Sequence, residues 1–177
     1  ERRPGVETEG SVVGTLRADG ADLRGLRVRD AIVETLDAPV FRASSSSWRE
    51  VRIAGGRIGS AELYDTTLNG VEFVGMKLGF VNLRGSTVTD VVFRDCVVDE
   101  LDIADARLLR VSFEGTSIRA AEGSNTRIDH VDLRAADLDR VERLLGVPRL
   151  CCSATAGGSP VISPTAGAPT CWISRRA

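Results

Sequence analysis

The sequence predicts a coiled repeat fold, one long domain whose chain turns a corner every five residues. Three observations predict it. In "VNLRGSTVTDVVFRDCVVDE" (81–100), Leu83, Val88, Phe93 and Val98 recur at every fifth position. An α-helix repeats its apolar face every 3.6 residues and a strand every 2, so the beat belongs to a larger object. The same phase runs from 23 to 138 through 24 positions, and only Gly123 lacks an apolar side chain there. At 42% hydrophobic content chance would fill roughly 10 of them, so the period is real. A second site lies two residues before each centre and favours small or β-branched side chains, as at Ala21, Ala31, Val51, Ala61, Val71, Val81, Val91, Cys96, Ala106, Val111, Ala121, Val131 and Ala136.

A polar residue separates the two sites, as in "ADL" (21–23), "AEL" (61–63), "VNL" (81–83) and "VDL" (131–133). Glycine often closes the unit, at Gly25, Gly55, Gly70, Gly75, Gly85 and Gly115, where a turn with positive φ is expected. Units of this form resemble the pentapeptide-repeat family, whose motif is A(D/N)LXX. The match covers 21–140 without a slip of register, and Val13 and Ala18 are already in phase. The resemblance implies an all-β fold, a right-handed quadrilateral parallel β-helix in which four pentapeptides make one square coil. The centre residue and the one two before it then point inward, and the other three face solvent. Residues 21–140 correspond to six coils, a rod ~29 Å long at ~4.8 Å per coil.

The expected organisation is an N-terminal lead-in (1–10), the β-helix (11–140), a short capping helix (141–150) and a tail (151–177). One stretch strains the pattern. In "LDAPVFRASSSSWRE" (36–50), Leu36 and Phe41 are large where small is usual, while the centres Ala38 and Ala43 are small. Two readings stand: an exchange of volume between inward sites at constant total, or a bulge or small loop at Pro39 and Ser44–Ser47 with a recognition role. A solenoid needs closed ends, because a bare final coil exposes core and strand edges. Val141, Leu144 and Leu145 lie at helical spacing before Gly146 and Pro148, which predicts a helix over about 138–145. In gyrase-targeting members of the resembled family a C-terminal helical element makes a head-to-head dimer, so a homodimer through the cap is a further expectation. From Cys151 to Ser174 no residue is charged and Gly, Pro, Ser, Thr and Ala dominate. That composition predicts a poorly ordered tail, with Cys171, Trp172 and Ile173 as a patch able to dock on the rod.

Composition narrows function. A net charge of −2 argues against direct nucleic-acid binding through a basic face. No run of 18 apolar residues predicts a membrane span, and "ERRPGVETEG" holds no apolar leader core. The four cysteines show no metal spacing, so neither cofactor nor disulfide framework is expected and a cytoplasmic setting fits. The single histidine, His130, is expected on an outward turn beside Asp129, and Cys96 packs inward; neither has a catalytic partner, so no enzyme is predicted.

What remains is surface. Residues 20 apart share a face. The face of units starting at 21, 41, 61, 81, 101 and 121 carries six carboxylates against three arginines, and the next face carries six arginines against four carboxylates. The best-known relatives implied by the resemblance are acidic rods that mimic B-DNA, bind DNA gyrase and confer quinolone or toxin resistance. On that basis the candidate partner-binding stripe is Glu62, Asp65, Asp99, Glu100, Asp102, Asp105 and Glu122. The alternative is a scaffold or interaction rod with another protein partner. Charge is scarce for a mimic: residues 21–140 hold 20 carboxylates and 16 cations, whereas a duplex of ~29 Å carries roughly 17 negative charges.

Overall fold

A computed structural model describes residues 7–132, 137–138, 151–153 and 161–163. Its strands follow the beat. Strands β1 (Glu7–Glu9), β2 (Val12–Arg17), β3 (Arg27–Arg42) and β4 (Ser47–Ile53) open the rod. Strands β5 (Gly56–Glu62), β6 (Thr67–Val74), β7 (Met76–Asn82) and β8 (Thr87–Arg94) form its middle. Strands β9 (Val97–Asp102), β10 (Arg107–Glu114), β11 (Ser117–Glu122) and β12 (Arg127–Asp132) complete it. Three short strands follow: β13 (Asp137–Leu138), β14 (Cys151–Ser153) and β15 (Val161–Ser163). No helix occurs among the described residues.

Every parallel pairing steps by 20 residues, as in Leu68↔Val88 and Val88↔Leu108. Four five-residue sides make one coil, and the whole is a parallel β-solenoid of about six turns. Strands β5, β7, β9 and β11 stack on one side of β3 and strands β4, β6, β8, β10 and β12 on the other. Stacking satisfies the backbone: Leu63 N donates to Asn82 O at 2.9 Å and Leu83 N to Asp102 O at 2.7 Å. Beyond β12 the direction reverses, since β15 pairs with it antiparallel through Val131↔Ile162 and Asp132↔Val161. The expected capping helix, the dimer contact through it and the Cys171–Ile173 patch lie outside the described residues, except that Leu138 ends β13.

Corners fall on residue numbers divisible by five, and three of the four corners of a coil use left-handed backbone. One row holds Gly25, Ser45, Asp65, Gly85, Asp105 and Asn125, all with positive φ. Glycine has no Cβ to clash there, and Asn and Asp tolerate that region better than other residues. The expectation holds for Gly25, Gly70, Gly75, Gly85 and Gly115, but not for Gly55: positive φ, +121°, sits at Gly56 instead. Thr35, the corner residue one coil earlier, is β-branched and poorly suited to positive φ. That side therefore turns differently in its first coils, and a Cβ at Gly56 would collide with the Leu36 carbonyl oxygen.

Inside, residues 20 apart form columns. Phe73, Phe93 and Phe113 stack nearly parallel, with centroids 4.8 and 5.0 Å apart. Buried Ser46, Thr66, Ser86 and Thr126 form a hydroxyl column interrupted by Ala106. Thr66 Oγ1 donates to Ala43 O, Ser86 Oγ to Leu63 O and Thr126 Oγ1 to Ile103 O, each spanning 23 residues. Ser86 Oγ also accepts from Thr66 N at 3.0 Å. The hydroxyls thus link coils at a corner, where the strand ladder is interrupted and a buried backbone group would otherwise go unpaired.

The strained stretch keeps its register. Pairings Leu36↔Gly56, Val40↔Ser60 and Phe41↔Ala61 retain the 20-residue step through Pro39. Leu36, Ala38, Phe41, Ala43, Ser44 and Ser46 are all buried. No loop protrudes, and the volume exchange is what the chain uses.

Candidate functional site

The outer positions of the coils carry opposite charges at the 20-residue step. Arg42 meets Glu62 at 4.0 Å, Arg52 meets Glu72 at 2.7 Å, and Arg94 meets Glu114 at 3.0 Å. Arg110 meets Asp90 at 2.5 Å and Arg119 meets Asp99 at 3.1 Å. The Arg110 hydrogen bond holds the Asp90 carboxyl below the usual carboxylate range. These exposed pairs are screened by solvent and weak. Their larger effect is to neutralise charge locally.

This neutralisation reaches the candidate acidic stripe. Glu62 faces Arg42, and Asp99 faces Arg119. Asp102 is 14% exposed, pairs with Arg84 at 3.1 Å and accepts from Ala104 N at 3.0 Å. Glu122 accepts hydrogen bonds from Ser124 N and Ser124 Oγ. Asp65 and Asp105 occupy the same corner row with positive φ, and Asp105 accepts from Asn125 Nδ2 at 3.3 Å. Glu100 is exposed. The register brings Asp99, Glu100, Asp102 and Asp105 along one side of one coil and its two corners, with Glu122 one coil further. Glu62 and Asp65 stand two coils away, about 10 Å along the rod. The coil between them presents Asn82, Arg84 and Gly85, so the stripe has a neutral-to-basic gap. Sequence reading missed that gap, although Arg84 lies one coil before Ala104, on the face of Asp102.

Groups with chemical potential are placed as follows. Cys96 is buried; its Sγ donates to Phe73 O at 3.4 Å, and burial pushes the thiol pKa up. A protonated, enclosed thiol is a packing element. His130 is exposed, and its Nδ1 lies 2.5 Å from Asp129 Oδ1 on the outer surface. No group of three or more His, Cys, Asp or Glu side chains among the described residues is arranged to hold a metal. No helix among them is long and apolar enough to cross a membrane. The interior void beside Trp48 has a volume of about 10 Å³ and an apolar lining that includes Leu36, Phe41 and Ile53. It is too small for a substrate.

No protein-family model and no curated protein matches the chain. Several solved chains align with it. One is HetL, a pentapeptide repeat protein involved in heterocyst differentiation regulation from the cyanobacterium Nostoc sp. strain PCC 7120, with 16% identity, 73% of this chain and 84% of that chain covered, and a TM-score of 0.22. Another is QnrB1, a plasmid-mediated fluoroquinolone resistance protein, with 18% identity, 76% and 84% covered, and a TM-score of 0.22. At that overlap the two alignments carry no weight on their own. The five-residue register and the 20-residue coil, present in both sequence and structure, give the chain its resemblance to pentapeptide-repeat proteins.

Proposed function

We propose that the chain is a non-enzymatic rod whose outer faces dock a protein partner, with the acidic corner at Asp99, Glu100, Asp102 and Asp105 as the contact. The observation that carries this reading is the filled interior. A coil packed with side chains offers no enclosed site, so binding falls to the faces and corners. DNA gyrase is the partner we propose for the corner, the rod standing in for duplex DNA and protecting the enzyme from quinolones or toxins. Asp65, Glu100 and Asp105, which have no ion-pair partner among the described residues, support it.

A second reading, a scaffold rod with a different partner, is favoured by the ion pairs that neutralise Glu62, Asp99 and Asp102. A gyrase supercoiling titration separates the two, run on the parent and on the variant with Glu62, Asp65, Asp102 and Asp105 changed to Lys. Inhibition or drug protection by the parent, lost in a variant that keeps its β-rich circular dichroism, supports the gyrase reading. No effect of the parent at micromolar concentration removes gyrase and leaves the scaffold.

A further inference from the structure

Opposite charges stack at the 20-residue step on several ladders, single like-charge pairs occur at Arg57↔Lys77 and Asp102↔Glu122, and one face carries two arginine pairs. In the sheet of β4, β6, β8, β10 and β12, Arg107 stands in register with Arg127. At the other end of the same face Arg49 stands in register with Arg29. Like charges directly opposed on neighbouring strands repel. Arg49, Arg107 and Arg127 are exposed, and among the described residues no carboxylate forms an ion pair with them. The nearby acids are engaged elsewhere. Asp90 holds Arg110, Asp129 lies against His130, and Glu50 reaches over Gly70. Between the arginines lie Ser47, Thr67 and Thr87 in one outward column and Asn69 and Thr89 in the next, a neutral belt rich in hydrogen-bonding groups.

We infer that this face is a docking track for an extended acidic segment of a partner protein, running along the rod axis from Arg49 to Arg127. Those two residues are four coils apart, ~19 Å, which six extended residues span at ~3.3 Å each. Carboxylates would meet the guanidinium groups at both ends, and the Ser, Thr and Asn side chains would pair with polar groups between. The chain shows a related arrangement itself: the strand Glu7–Glu9 pairs with β3 in the register Glu7↔Arg27 and Glu9↔Arg29. A broad polyanion such as duplex nucleic acid fits less well, because Asp30, Glu50 and Asp90 border the track along its corner and Asp129 ends the column of Asn69 and Thr89 beside Arg127. A single narrow segment that reaches Arg127 along the Thr67 and Thr87 column passes them. The track lies on the face next to the acidic one and does not depend on the reading proposed for that corner.

The test is fluorescence polarisation with a labelled ten-residue poly-glutamate peptide on the whole chain. Saturable binding is expected at low salt and should weaken steeply as salt rises. Arg49→Gln, Arg107→Gln and Arg127→Gln together should weaken it by about tenfold or more. Arg57→Gln with Lys77→Gln, which dissolves a like-charge stack elsewhere on the rod, should change it less than about twofold. Arg127→Gln alone relieves the repulsion, so it should weaken peptide binding while leaving the thermal midpoint equal or higher. No saturable binding, equal losses in the two sets of variants, or tighter binding of a 20-base-pair duplex than of the peptide would each overturn the inference.

Discussion

The coils around 36–56 and those from 73 to 113 enclose the same square cross-section in different ways. In the later coils the columns are uniform: Phe73, Phe93 and Phe113 stack ring on ring, and hydroxyls bridge the corners. In the earlier coil the large side chains occupy the second inward site. Leu36 and Phe41 fill space that Ala38 and Ala43 leave, and Phe41 meets Trp48 edge-on at 5.8 Å. The exchange conserves volume but leaves a polar atom unmatched. The buried indole Nε1 of Trp48 has no hydrogen-bond partner among the described residues. The backbone of a solenoid tolerates either filling, and uniform columns give the better-satisfied interior.

The sharpest way to break the regular half is Phe93→Ala. It removes the middle ring of the stack and should cost about 3–5 kcal/mol in chemical denaturation. Because each coil touches only its neighbours, the loss is also expected to broaden or split the transition. In the irregular half, Leu36→Ala should cost about 2–5 kcal/mol. Adding Ala38→Leu restores the usual order of sizes and should recover roughly 0.5–3 kcal/mol as coupling between adjacent sites. Additive losses in the double variant would mean that the two sites do not share one volume.

A smaller effect is expected at the hydroxyl column. Ser86→Ala deprives Leu63 O and Thr66 N of a partner and should cost about 1–3 kcal/mol. The smallest belongs to the surface. The Asp90 carboxyl is held below its ordinary value of 3.8 by the hydrogen bond from Arg110. A depressed carboxyl contributes stability above its unfolded pKa and loses it as pH falls through the folded one. In Arg110→Gln the Asp90 titration, followed by NMR, should therefore move up toward the ordinary value, and acid unfolding should depend less on Asp90.

How far the sequence was legible follows from what each feature depends on. The solenoid could be read because Leu83, Val88, Phe93 and Val98 keep one phase, and burial of apolar side chains is the dominant favourable term. The volume exchange at 36–43 was legible as one of two options, and the intact register decides it. The hydroxyl column was not, since the role of Thr66, Ser86 and Thr126 depends on carbonyls 23 residues away. Nor was the turn at Gly56, because the neighbouring coil forces it. For the acidic stripe, sorting of charge by face was visible, but not the pairing that neutralises it. Pairing depends on which arginine sits one coil before or after, as Arg84 does for Asp102.

The corners at every fifth residue also govern what insertions and deletions do. Removing 20 residues from within the repeat shortens the rod by one storey and leaves every remaining side chain on its own face. Removing five keeps each apolar residue pointing inward but turns everything downstream by a quarter revolution. Arg107 and Arg127 would then lie on the face that now bears Glu62 and Asp65, in the places Asp102 and Glu122 hold now, and would turn its acidic end basic. Length changes in such a chain act as rotations, so its surface can be re-sorted while every remaining core residue still points inward.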